Sequence, residues 1–240
     1  MPIRWKTTYT LAQAVEVNNP VGNYPDIGIS LLYDGDGKLI RVDHQLDTEN
    51  TASEDDVFAL SQQHLKLFWE VLHYQRGFPL PISSRSVEQI QAVSGTTFAL
   101  ISEAHVTGTA ATCKVIEMPD HDIFASPSSR LIVCLRLANE ARSAVIDADA
   151  IRNYYMIWED MKGRPTSTTV PSAANELKFV RDFVSHGEAL SNSNLLAFIQ
   201  AKLGKPVNQY DPTDADQQNL VRKYREQARQ LVESELSKQL

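Results

Sequence analysis

Cysteine is nearly absent from this chain: Cys113 and Cys134 are the only two among 240 residues. Two thiols build neither a disulfide framework nor a four-ligand zinc pattern. A reducing cytoplasm is the expected compartment. Long apolar runs are missing as well. No stretch approaches the eighteen or so residues that a membrane-spanning helix needs, so no membrane partner is expected. The opening Met-Pro-Ile-Arg-Trp-Lys carries no apolar core of the secretory-signal kind. Basic excess is also lacking, since 23 Lys and Arg against 30 Asp and Glu leave −7. That balance argues against a protein that coats nucleic acid electrostatically. Neither a Gly-rich phosphate loop nor a nucleophile elbow occurs, and no cofactor is expected.

What is there reads as ordinary globular sequence, 42% hydrophobic and 22% charged. The length suits one large domain or two modest ones. The pattern changes near residue 147, and the expected fold class is α+β. Residues 1–146 form a β-rich region with one helix, and 147–240 an all-α bundle. The acidity is uneven between them. The first part holds 11 basic and 17 acidic residues, the second 12 and 13, so the balances are −6 and −1.

In the first part, 27–33 and 38–42 are strand-like runs around Asp34-Gly-Asp-Gly, which predicts a hairpin. Further β-like runs are 96–101, 110–118 and 131–137. A helix is predicted over 54–76. Ser53 stands at its N-cap, followed by Glu54, Asp55 and Asp56, and Gly77 and Pro79 end it. In the second part, Asp147 or Asp149 can cap a helix carrying Ile151, Tyr154, Tyr155, Ile157, Trp158 and Met161. A loop at 163–171 follows, then a helix opened by Ser172, a short one near 193–203, and a last one after Pro212.

The residues that carry chemistry lie on the helix after Ser172. At helical spacing, Leu177, Phe179, Val180, Phe183 and Val184 fall on one arc of about 160°. Arg181, Asp182, Ser185, His186, Lys178 and Asn175 occupy the opposite arc. His is the side chain best suited to move protons near neutral pH. Arg neutralises charge on a phosphoryl group and bonds two oxygens at once. Asp182 can orient either partner. Such a set suits metal-free attack of an RNA 2′-hydroxyl on its neighbouring phosphate. The single His of this set is thin for a reaction that wants both acid and base, whereas two copies facing each other supply both. A purely structural reading stands beside this one. A His in a last helical turn before Gly187 can simply cap carbonyls, and an Arg–Asp pair is common on helix surfaces.

Arg181-Asp182-x-x-x-His186 on an amphipathic helix resembles the motif of HEPN domains: Arg, a polar residue, a short spacer and His. The flanking Phe179–Glu188 stretch and the Ile151–Asp160 helix also resemble helices of that bundle. The resemblance covers about 147–240 and leaves 1–146 unexplained. It implies a helical bundle that pairs into a homodimer with the two motifs facing each other. In active members it implies a metal-independent endoribonuclease, a hydrolase acting on RNA, with Arg181 and His186 as catalytic residues and Asp182 in support. Many HEPN-like domains are instead inactive dimerisation or binding modules. Similar segments also occur in bacterial accessory proteins, including methylamine-utilisation ones.

Other candidates carry less. His64 and His73 lie nine residues apart on the 54–76 helix, too far for a shared metal. Asp34-Gly-Asp-Gly lacks the bidentate Glu of a calcium loop and is expected to be a turn. His44, His105 and His121 have acidic neighbours, but no ligand spacing supports a metal site. Cys113 has no adjacent base and is expected to be structural. Tyr154, Tyr155 and Trp158 can stack on bases, although their spacing more simply places them in the bundle core.

Overall fold

The computed structural model describes residues 2–49, 52–77, 80–90, 102–103, 115–125, 128–163, 173–185 and 192–240. The fold is mixed α+β, with an N-terminal antiparallel sheet and eight α-helices among the described residues. Two compact units divide the chain, Met1–Ile132 and Val133–Leu240.

The first unit is built on β1 (Ile3–Val15), β2 (Val17–Asn18), β3 (Asn23–Tyr24), β4 (Ile29–Tyr33) and β5 (Leu39–Thr48). Helices α1 (Glu54–His64) and α2 (Lys66–Arg76) follow, then β6 (Ile82–Ile90), β7 (Ser102–Glu103), β8 (Ile116–Glu117) and α3 (Asp122–Ala125). Six strands form one sheet in the order β3-β4-β5-β1-β6-β7, and β2 pairs with β8 in a parallel ribbon. Side chains alternate across a strand. Trp5, Thr7, Tyr9 and Leu11 of β1 are therefore all buried, while Arg4, Lys6, Thr8 and Thr10 between them are not. Trp5, Leu46 and Val87 meet Val57 of α1 in one apolar cluster.

The hairpin expected around Asp34 is β4–β5, paired antiparallel with Leu31 opposite Val42. Its turn consumes the Asp34 carboxylate, whose Oδ1 accepts from the backbone N–H of Asp36 at 3.0 Å and of Lys38 at 2.9 Å. Ser53 caps α1 as expected, in a reciprocal box with Asp56. The 54–76 segment is not one helix. It breaks at Leu65, where φ −80° and ψ 0° leave the helical region. Gly77, in the left-handed conformation, closes α2.

A larger correction concerns 131–137. The run expected as a strand lies inside a helix, α4 (Ser129–Ser143). Adjacent β-branched Ile132 and Val133 suggest a strand locally, but Leu131, Cys134, Leu135, Ala138 and Ala141 are buried at helical spacing. The β-rich part thus holds more than one helix. Conversely, β1 and β6 lie outside the runs singled out from sequence. The 96–101 run falls outside the described residues, and of 110–118 only the end is described, where β8 forms.

The second unit contains most of α4 with α5 (Asp147–Lys162), α6 (Ala173–Ser185), α7 (Ser193–Leu203) and α8 (Ala215–Leu236). Helix α5 packs against α6 and α8, and α6, α7 and α8 touch one another. Ile151, Tyr154, Tyr155 and Ile157 of α5 are buried, as are Leu220, Val221, Tyr224, Ala228 and Val232 of α8. The proposed Asp cap of α5 is not formed. Ile146 holds the N-cap position with no side-chain bond. Asp147 instead pairs with Arg225 at 2.6 Å and Arg222 at 3.5 Å, and Asp149 with Arg152 at 2.6 Å. Opposite charges from α8 and the next turn compete for the carboxylates that a cap would use. Asn192 and Asp214 do cap α7 and α8. Ser172 and 164–171 lie outside the described residues. Among the described residues no helix is long and apolar enough to cross a membrane.

Candidate functional site

Helix α6 is amphipathic as its spacing dictates. Leu177, Val180, Phe183 and Val184 are buried against the bundle. Phe183 meets Tyr210 at 5.3 Å between ring centroids, and Phe179 meets Phe198 at 5.3 Å. These contacts orient the helix and turn Arg181 and Asp182 toward its flank. That flank is less open than a solvated polar face. The Arg181 side chain is 26% exposed and Asp182 16%, and Asn175 is buried.

The reason is Tyr155. Its ring, on α5, lies beneath Arg181, with the guanidinium carbon 4.3 Å from the centroid. This is a cation–π contact. Arg181 Nη1 also forms an ion pair with Asp182 Oδ1 at 2.8 Å, while Lys178 Nζ approaches Asp182 Oδ2 at 3.3 Å. One carboxylate therefore serves two cations, and the trio carries a net positive charge. Arg181 Nε is buried with no hydrogen-bond partner among the described residues.

The end of α6 is held by a second arginine. Arg152 of α5 donates through Nε to Ser185 Oγ at 3.3 Å and through Nη2 to the carbonyl of Val184. Its Nη1 bonds Asp149. A cation at a helix C-terminus meets the negative end of the dipole. The Val184 carbonyl is thus capped by Arg152. His186 itself lies outside the described residues. The structure brings Arg181 and Asp182 together with Lys178, from the same arc, and with Tyr155, unanticipated beside them, while Arg152 holds the end of the helix. Lys178 and Asp182 were readable as an i,i+4 pair. The two α5 partners come from a different helix and leave no local signal.

Elsewhere the polar residues serve the core. Ser61 Oγ of α1 lies 2.6 Å from Thr7 Oγ1, 2.9 Å from the Tyr9 hydroxyl and 2.8 Å from His44 Nδ1. One hydroxyl hydrogen and its lone pairs suffice for all three. Burial, helped by nearby His64, pushes the His44 imidazole down to about 4. His73 is likewise pushed down to about 4, by burial first and Arg76 second. His121 packs on Tyr24 at 4.7 Å. Cys134 is buried, with Sγ 3.5 Å from Asp160. Among the described residues no three His, Cys, Asp or Glu gather as metal ligands. His105 and Cys113 lie outside them. Tyr154 and Tyr155 are each 1% exposed, so neither presents a ring for base stacking.

No protein-family model matches the chain, and neither a curated protein nor a solved structure matches it.

Proposed function

We propose that the C-terminal unit is a HEPN-like helical module directed at RNA and paired as a homodimer. In this reading Arg181 neutralises the phosphoryl charge, Asp182 orients Arg181, and His186 moves the proton. The reaction is transfer within RNA. The 2′-oxygen bonds to phosphorus while the P–O5′ bond breaks, leaving a cyclic phosphate and a 5′-hydroxyl. His186 of one copy takes the 2′ proton, and His186 of the second protonates the departing oxygen. The observation that carries this reading is the fixed, incompletely satisfied guanidinium of Arg181. It is pinned by Tyr155 and Asp182, yet its Nε has no hydrogen-bond partner among the described residues. Electrostatic catalysis requires a charge already in place before the substrate arrives.

A second reading, a non-catalytic dimerisation or binding module, draws on the same contacts. Asp182 and Tyr155 already employ the guanidinium, which suits a clamp between α5 and α6. Incubating purified protein with single-stranded RNA and a chelator separates the two. Cleavage by wild type, lost by at least about a hundredfold in both Arg181→Ala and His186→Ala with circular dichroism unchanged, is the result expected for the enzyme. Equal cleavage by all three proteins, or none by a wild type that sediments as a dimer, leaves the module.

A further inference from the structure

We propose that Tyr155 is the positioning residue for Arg181, an inference that rests on the reading of Arg181 as the group facing phosphate. Two restraints act on the guanidinium from different directions. Asp182 holds one end of it in a salt bridge, with Nη1 2.8 Å from Oδ1. By itself that salt bridge leaves the guanidinium plane free to swing about it. The Tyr155 ring, 4.3 Å beneath the guanidinium carbon, fixes the plane.

The hydroxyl of Tyr155 takes no part. It is buried with no hydrogen-bond partner among the described residues, in a side chain only 1% exposed. The ring face is therefore what this residue supplies. A planar guanidinium recognises phosphate through two parallel N–H bonds, so its tilt decides whether both form together. Tyr155 governs that tilt without touching the anion. Lys178 draws on the other oxygen of Asp182. The carboxylate is shared, and Arg181 keeps positive charge to offer.

The test compares Tyr155→Phe, which keeps the ring, with Tyr155→Leu, which removes it, and uses Tyr155→Met if the leucine variant unfolds. Nitrogen-15 spectra of the arginine Nε–H groups read the stacking directly, with Arg181→Lys identifying the resonance. The Arg181 signal is expected upfield, shifted by the ring current, in wild type and Tyr155→Phe. It should move toward the free-arginine position in Tyr155→Leu. Affinity for a short single-stranded oligouridylate, measured with a chelator present, is expected to match wild type in Tyr155→Phe. In Tyr155→Leu it should fall by roughly three- to thirtyfold, the range a cation–π contact carries. An Arg181 resonance unmoved by loss of the ring overturns the proposal. So does unchanged oligouridylate binding in Tyr155→Leu when Arg181→Ala has lost it. Equal binding by wild type and Arg181→Ala removes the phosphate-facing reading and the inference with it. The ring-current shift, being independent of RNA, tells that failure apart from a missing stack.

Discussion

Gly28 lies against the backbone of Gln45 so closely that a β-carbon on it would stand 2.3 Å from the Gln45 carbonyl oxygen. Its φ of +65° is left-handed as well, and Gln45 N–H donates to the Gly28 carbonyl at 2.8 Å. Steric room and backbone conformation both demand glycine here.

Gly28→Ala is accordingly expected to cost more than about 2 kcal/mol, from left-handed strain of about 1–2 kcal/mol plus the forced separation of the two backbones. Gly37, also left-handed at φ +78° but with open space around it, is the control. Gly37→Ala should cost only about 1 kcal/mol. Urea titrations of both variants decide the point. Equal losses would show that the Gln45 contact is immaterial.

The pH dependence of the first unit follows from His44. Its folded pKa, about 4, lies below the ordinary histidine value because burial penalises the imidazolium. Between those values the unfolded chain binds the proton more readily, so stability falls as the pH drops from about 6.5 to about 4. His73 acts over the same window. Denaturation midpoints at pH 7 and pH 4.5 should therefore differ, and His44→Gln should shrink the difference. The same variant should be weaker at pH 7 by about 1–3 kcal/mol, because the buried Ser61 loses a matched partner. An undiminished pH effect in His44→Gln would move its origin elsewhere.

Arg225 closes the end of α4. It donates to the carbonyls of Ala141 and Arg142 at 3.2 Å each and pairs with Asp147 at 2.6 Å. Arg225→Ala should destabilise the second unit by about 2–3 kcal/mol, since charged and carbonyl partners are stranded together. Arg225→Lys should restore only part of this, because an ammonium cannot spread its donors across three acceptors in one plane. Thermal melts of the pair check the order.

Ser53→Ala removes the reciprocal cap of α1 and should cost about 1 kcal/mol. Ser53→Asp should recover most of it, since a carboxylate also accepts from the third helical N–H. Loss in both variants alike would show that the hydroxyl matters beyond capping.

Local signals in the sequence carried as far as local physics does. The Asp34 turn, the Ser53 cap and the apolar stripe of α8 each follow from residues a few positions apart, and each is present. Where neighbours in space decide, the reading falters. Ile132 and Val133 resemble a strand until the burial of Leu135 and Ala138 is known. Asp147 resembles a cap until Arg225 of another helix claims it. At the site, the Arg181–Asp182 pair was legible because the two are adjacent. Tyr155 was placed in the core by its spacing, and its ring is indeed buried. That it buries itself under an arginine rather than only among apolar groups depends on how α5 meets α6, and no periodicity encodes that.

The hydroxyl of Ser61, with Thr7, Tyr9 and His44 converging on it, has a consequence for how this chain can vary. Those positions come from two strands and a helix, but they share one atom. Replacing the serine alone leaves the Tyr9 hydroxyl and the His44 ring to find new partners at once and Thr7 with only the His44 carbonyl at 3.4 Å, whereas an apolar substitute at all four strands no side chain. Related chains should therefore change these positions as a block or keep all of them, and a lone exchange at position 61 should be the rarest combination.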